Sequence, residues 1–257
     1  MNFHLSGCSN WIFLDLDDTL WDFAGNSLLS LHHVYDLFSI FKQEYPSRDE
    51  FIDVYHQHNS ALWTDYAKGN VSADFLKTER WRRTLFPDSD LQDTPPICSE
   101  INTKYLSRLA SLPNAVAGAH DLLTALSDHF LIGVISNGFA DTQYRKLDNS
   151  GLWRFVTRMI ISDEIGIQKP DRRLFDYAIR ETGATGRPIM IGDNPDTDIM
   201  GALKAGWEAI WFNPQRRQSP FTPETLASLG IDPHLYIGET DNLHDVLRLL
   251  SERSAIK

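Results

Sequence analysis

The 257 residues carry 24 Lys+Arg against 35 Asp+Glu, a formal charge of −11, with 42% hydrophobic and 11% aromatic residues. That balance excludes an intrinsically disordered chain and argues against broad nucleic-acid or anionic-membrane binding. It leaves an anionic small-molecule substrate open, because charge at a site can oppose the net charge. The length suffices for one large domain or two modest ones. The first ten residues are polar, and no stretch approaches the ~20 apolar residues of a membrane span. The two cysteines, Cys8 and Cys98, are far apart and have no metal-ligand spacing. Free thiols in a reducing compartment are expected, in a soluble cytoplasmic protein that is a monomer or homodimer.

In chain order, Trp11-Ile12-Phe13-Leu14 is an apolar run suited to a buried strand of a parallel sheet. Asp15, Asp17, Asp18 and Thr19 follow at its carboxyl end, the rim where open α/β sheets bind ligands. On an extended backbone Asp15 and Asp17 point the same way, and two such carboxylates repel unless a cation or shared proton relieves them. Taken alone, the stretch is as readily a solvated turn. Over residues 26–109 the apolar spacing is helical, with breaks at Pro46-Ser47, Gly69-Asn70, Pro87 and Pro95-Pro96. About four helices are expected, covering 28–41, 51–66, 75–85 and 97–109, with Ser47 and Ser72 as N-caps.

From Pro113 the pattern alternates. Strands are expected at 130–135, 159–162, 188–192, 209–212 and 235–237. Helices are expected at 119–126, 141–150, 172–182, 196–205 and 243–250, with Asp196 as an N-cap and residues 213–223 as a polar surface connection. Such alternation implies βαβ units and a Rossmann-like parallel sheet with helices on both faces. The expected organisation is an α/β core of residues 1–21 and 112–257, with residues 22–111 as a helical domain inserted after the first strand, where it can act as a lid.

Four expected strand ends carry polar groups: Asp15-Leu16-Asp17, Ser136-Asn137-Gly138, Lys169 before Pro170, and Gly192-Asp193 with Asp198 five residues on. Each has a bland reading: a common turn, a solvated lysine, or an acid favoured near a helix start. Their order and spacing together are far more specific. A hydrophobic strand with DxDxT, a strand ending in Ser, a Lys-Pro and a GDxxxxD resemble the haloacid dehalogenase superfamily, and the insertion resembles its helical cap.

The resemblance implies roles. Asp15 becomes the nucleophile forming an aspartyl phosphate, and Asp17 the general acid and then base. Mg²⁺ is held by Asp15, the backbone carbonyl of Asp17, and Asp193. Asp198 supports that shell or orients Lys169. Ser136 and the backbone of Asn137 bind a phosphoryl oxygen, and Lys169 neutralises charge. Asp18 and Thr19 take no catalytic role. The dehalogenases of the superfamily lack an acid two residues after the nucleophile, so Asp17 favours phosphate chemistry. A phosphonate hydrolase would need a cap lysine, and nothing marks Lys42, Lys68 or Lys77.

The cap run at 58–72, the stretch at 75–81 and the segment at 160–179 resemble the superfamily's pyrimidine 5′-nucleotidases. Trp63, Tyr66 or Phe139 offers an aromatic face to a base, and His56, His58, Asn59 and Arg80 lie in the same cap. Aromatics at helical spacing are also ordinary bundle core. The expected activity is a Mg²⁺-dependent phosphomonoesterase acting on nucleoside monophosphates with a pyrimidine bias. A phosphosugar or phosphoglycolate phosphatase, a phosphomutase and a non-catalytic phosphate-binding regulator stand as alternatives.

Overall fold

A computed structural model of the chain describes residues 8–87 and 93–255. It divides into two compact units, one formed by Met1–Asp22 with Pro113–Lys257 and the other by Phe23–Leu112.

The second unit is helical: α1 (Phe23–Leu37), α2 (Ser39–Glu44), α3 (Arg48–Ala67), α4 (Ala73–Leu85) and α5 (Pro96–Ser111). The hydroxyls of Ser47 and Ser72 accept from Glu50 N and Phe75 N, so both expected N-caps form. The expected helix at 28–41 is instead two helices. Phe38 is extended, at φ −109° and ψ 115°, so that Phe41 packs into the core while Leu37 stays exposed. No Gly or Pro marks that break. The core of this unit is aromatic, with Phe41, Phe51, Tyr55, Trp81 and Tyr105 in mutual contact. Arg80 is buried among Tyr55, Trp81 and Tyr105, and its guanidinium donates to Asn102. Trp63 and Tyr66 form a T-shaped pair and are only half-buried. Cys98 is a buried free thiol; the side chain of Cys8 lies outside the described residues.

The first unit carries a six-stranded sheet in the order β3-β2-β1-β4-β5-β6, with every pair parallel. The strands are β1 (Cys8–Leu14), β2 (Leu131–Ser136), β3 (Arg158–Ile161), β4 (Arg187–Gly192), β5 (Glu208–Phe212) and β6 (Tyr236–Thr240). Between them run α6 (Ala119–Ser127), α7 (Ala140–Asn149), α8 (Ser162–Ile165), α9 (Arg172–Thr182), α10 (Gly201–Lys204) and α11 (Pro223–Ser228), and α12 (Val246–Ala255) follows β6. β1 is central, which is why its apolar run is continuous rather than alternating. Trp11 and Phe13 join one core cluster with Phe175 and Trp207, and Ile12 and Leu14 are equally buried.

The chain proceeds from β1 to β2 and β3 on one side, then returns to lay β4 on the other side of β1. β1 and β4 therefore flank the topological switch point, and their carboxyl ends open onto the crevice where such sheets bind ligands. Asp15 follows β1 there, its N–H donating to Ile191 O, and Asp193 follows β4. The segment expected as one helix at 196–205 is a π-helical turn, Pro195–Met200, followed by α10. Its cap is Asn194 and not Asp196: the Asn194 Oδ1 accepts from the backbone of Asp196 and Thr197. The connection at 213–223 is less exposed than its composition suggests, because Asn213 and Phe221 are buried. Among the described residues no helix is long and apolar enough to cross a membrane.

Candidate active site

Four charged side chains from different segments meet at the switch point. Lys169 is only 2% exposed, and its ammonium lies 2.5 Å from Asp15 Oδ1, 2.7 Å from Asp198 Oδ1 and 2.8 Å from Ile135 O. Three acceptors match the three N–H donors of an ammonium. Burial alone would lower the lysine's pKa, but Asp15 and Asp198 more than offset it, so Lys169 is held as a cation. The lysine is therefore neither solvated nor a helix-start residue; the cap of α9 is Asp171. Its backbone is gripped by Asn137, whose Nδ2 donates to Lys169 O and whose Oδ1 accepts from Lys169 N.

Carboxylate oxygens of Asp15, Asp193 and Asp198 all lie within 4.8 Å of one another. Burial, then Asp198 and Asp193, push the Asp15 carboxyl well above the usual carboxylate range against the pull of Lys169. Asp193 is raised to about 7 by burial, Asp198 and Asp18. Two carboxylates share the ammonium and a third lies beside them, so negative charge is in excess at the cluster. This donor set, all hard oxygens with uncompensated charge, fits a divalent cation such as Mg²⁺.

Local backbone features make these approaches possible. A Cβ on Gly192 would sit 2.3 Å from Asp198 Oδ2 and 2.6 Å from its Cβ, so a side chain at 192 would expel Asp198. Asp18 adopts φ +59°, a left-handed conformation that Asp tolerates better than most residues, and its N–H donates to Trp21 O. Thr19 is fully buried, and its hydroxyl accepts from Asp193 N at 3.0 Å, tying the β1 turn to the end of β4. Asp193 O accepts from Trp211 Nε1 and Arg217.

Asp17 and Ser136 belong to a second network. Asp17 Oδ1 accepts from Lys146 Nζ at 2.7 Å, and its Oδ2 accepts from Gln143 Nε2 at 2.9 Å. The same Nε2 lies 2.5 Å from Ser136 Oγ, which also accepts from Gly138 N. With its lone pairs so engaged, the Ser136 hydroxyl retains a proton to donate.

The geometry thus brings Asp15, Lys169, Asp193 and Asp198 together and sets Asn137 against Lys169. It puts Asp17 and Ser136 on a common donor. Gln143, Lys146, Trp211 and Arg217 carry no motif in the sequence, and Thr19, which the sequence marks only as a turn residue, ties β1 to β4. Gln143 and Lys146 do share a helix face at i, i+3 just after the Ser136 turn, but that spacing is too common to single them out.

A model of the haloacid dehalogenase-like hydrolase family matches residues 12–212. The chain belongs to that family. It is 31% identical over 216 residues to the pyrimidine 5′-nucleotidase YjjG of Escherichia coli (strain K12), covering 82% of this chain and 89% of that one. It is 28% identical over 218 residues to the pyrimidine 5′-nucleotidase PynA of Streptococcus pneumoniae (strain ATCC BAA-255 / R6), covering 81% and 86%. The crystal structure of the HAD-hydrolase YfnB from Bacillus subtilis bound to magnesium shares the fold at a TM-score of 0.78 and 24% identity, covering 95% of this chain and 99% of that one.

Proposed function

We propose that this haloacid dehalogenase-like hydrolase is a Mg²⁺-dependent phosphomonoesterase acting through an aspartyl phosphate on Asp15, with pyrimidine nucleoside 5′-monophosphates as preferred substrates. The observation that carries the reading is the buried Lys169 ammonium shared between Asp15 and Asp198 beside Asp193. A carboxylate nucleophile meeting a dianionic ester needs such positive charge around it. Similarity to two pyrimidine 5′-nucleotidases supports the substrate preference.

In the first half-reaction an Asp15 carboxylate oxygen attacks phosphorus and the ester P–O bond breaks. Asp17 gives its proton to the departing alkoxide. In the second, Asp17 takes a proton from water, the water oxygen attacks phosphorus, and the bond to Asp15 breaks, which restores the carboxylate and releases phosphate. Ser136 and the backbone of Asn137 donate to phosphoryl oxygens, and Lys169 holds Asp15 in line. Asp15, Asp193 and the backbone carbonyl of Asp17, with Asp198 in support, would hold Mg²⁺, which when bound would supply charge neutralisation to the phosphoryl group.

The test is phosphate release from a panel of esters with Mg²⁺ and with EDTA. Uridine and cytidine 5′-monophosphates are expected to be turned over fastest, with loss of activity in EDTA and in Asp15→Asn. Preference for a phosphosugar or phosphoglycolate would overturn the substrate assignment. Isomer conversion without phosphate release would make the protein a mutase, and full activity in Asp15→Asn would refute the nucleophile.

A further inference from the structure

We infer that Gln143 and Lys146 are positioning residues for proton transfer: two donors on one face of α7 aim the Asp17 carboxyl, and Gln143 ties that aim to the phosphate-binding hydroxyl of Ser136. The inference rests on the phosphomonoesterase reading above.

Both Asp17 oxygens are engaged, Oδ1 by Lys146 and Oδ2 by Gln143. A carboxyl held at both oxygens has one orientation rather than a spread of rotamers. Lys146 is 2% exposed, with its ammonium 4.5 Å from the centroid of the Trp21 ring, so its stem and head are both fixed. The Gln143 amide has one sensible orientation, because turned over it would set its oxygen against a carboxylate. Its two N–H donors therefore go to Asp17 Oδ2 and Ser136 Oγ.

That arrangement has a cost. Gln143 is fully buried and its Oε1 has no hydrogen-bond partner among the described residues. A buried orphan acceptor destabilises a fold, and an apolar side chain of equal length would remove the problem. Packing does not explain a glutamine here; its two acceptors do. The cap of α7 contributes no side-chain hydrogen bond, so neither residue serves to start the helix. A Cβ on Gly138 would come within 2.4 Å of Gln143 Nε2, so the glycine of the Ser136-Asn137-Gly138 turn leaves the room this amide occupies.

The test uses the purified full chain with Mg²⁺, the variants Gln143→Met, Lys146→Met and Gly138→Ala, and phosphate esters graded by leaving group from 2,4-dinitrophenyl through p-nitrophenyl to uridine 5′-phosphate. kcat/KM reports steps up to the first irreversible one, the transfer to Asp15, so hydrolysis of the aspartyl phosphate does not confuse it. General acid catalysis contributes about 10²–10⁴-fold. The variants are expected to lose about 100-fold or more on the nucleotide and under about 5-fold on the dinitrophenyl ester, whose phenolate leaves without a proton. Lys146→Arg is expected to recover part of the loss. Gln143→Met is expected to unfold at a temperature no lower than the unsubstituted protein, which separates this role from a structural one. Equal losses across the esters, or none, would overturn the inference while the phosphatase reading stands. No phosphate release by the unsubstituted protein from any ester would overturn that reading and this inference with it.

Discussion

Replacing Lys169 with methionine keeps the volume of the side chain and removes only its charge and donors. In the folded chain the ammonium touches two carboxylates, at 2.5 and 2.7 Å, and a backbone carbonyl at 2.8 Å, all shielded from solvent. Breaking a buried ion pair by removing one partner costs about 3–5 kcal/mol, because the remaining charge is left uncompensated. Here Asp15 and Asp198 would face each other with Asp193 alongside. Lys169→Met is therefore expected to be destabilised by about 3–5 kcal/mol at pH 8 in EDTA, measured by urea unfolding. The pH dependence has a definite sign. Asp15 already sits above its unfolded pKa, and without Lys169 it rises further, so the folded variant binds protons that the unfolded chain does not. Stability then falls as pH rises through that folded value and is recovered as pH drops towards the unfolded carboxylate value of about 4. The deficit against the unsubstituted protein should be largest above neutrality and shrink on acidification. Mg²⁺ should narrow it as well, by neutralising the same carboxylates. A deficit below about 1 kcal/mol at pH 8, or one that is flat from pH 5 to 8, would refute the account of Lys169 as counter-ion to a buried acidic cluster.

The same cluster predicts opposite effects on stability and activity elsewhere. Asp15→Asn removes one of three mutually repelling carboxylates, and in EDTA its thermal midpoint should equal or exceed that of the unsubstituted protein while phosphatase activity falls by several orders of magnitude. Gly192→Ala sets a Cβ 2.3 Å from Asp198 Oδ2, so it should weaken Mg²⁺ binding in calorimetry and lower the unfolding midpoint, whereas Gly69→Ala, with open space at its Cβ position, should leave Mg²⁺ binding alone. Burial pushes the Cys98 thiol up to about 11, so it should resist a thiol reagent at pH 8 in the native chain and react once the protein is unfolded in urea.

What was legible in the sequence follows from what each feature depends on. β1 declared itself because a strand central to a parallel sheet is apolar on both faces, and the charges at its end mark where burial stops. The cluster at the switch point was legible only as an ordered set of motifs; no one of them predicts that Lys169 is buried. The split at Phe38 was hidden because it depends on which of Leu37 and Phe41 finds the core, a tertiary choice that leaves no turn residue behind. Asn194 takes the cap where Asp196 is expected because both residue types cap helices, and Asp196 lies inside the turn that Asn194 caps. Gln143 and Lys146 sit in an ordinary amphipathic helix, and the partner they share, Asp17, lies more than a hundred positions away.

The two networks differ in how they hold an acid, and the difference suits what each acid is asked to do. Asp15 is buried, pressed by two other carboxylates and relieved by a single lysine, so its surroundings favour whatever brings positive charge to it. Asp17 is partly exposed and grasped at both oxygens by neutral and cationic donors, so its surroundings favour a fixed direction. A nucleophile needs its charge compensated by the same groups that will neutralise the phosphoryl group in the transition state. A proton carrier needs to meet first an alkoxide and then a water at one place. Ser136 stands at the junction, accepting from the Gln143 amide that also orients Asp17 and following directly on Ile135, whose carbonyl anchors Lys169. A displacement of β2 by a fraction of an ångström would therefore disturb the counter-ion, the phosphate donor and the proton carrier together. That makes the end of β2, rather than the acids of β1, the place where the positions of the two networks are set against each other.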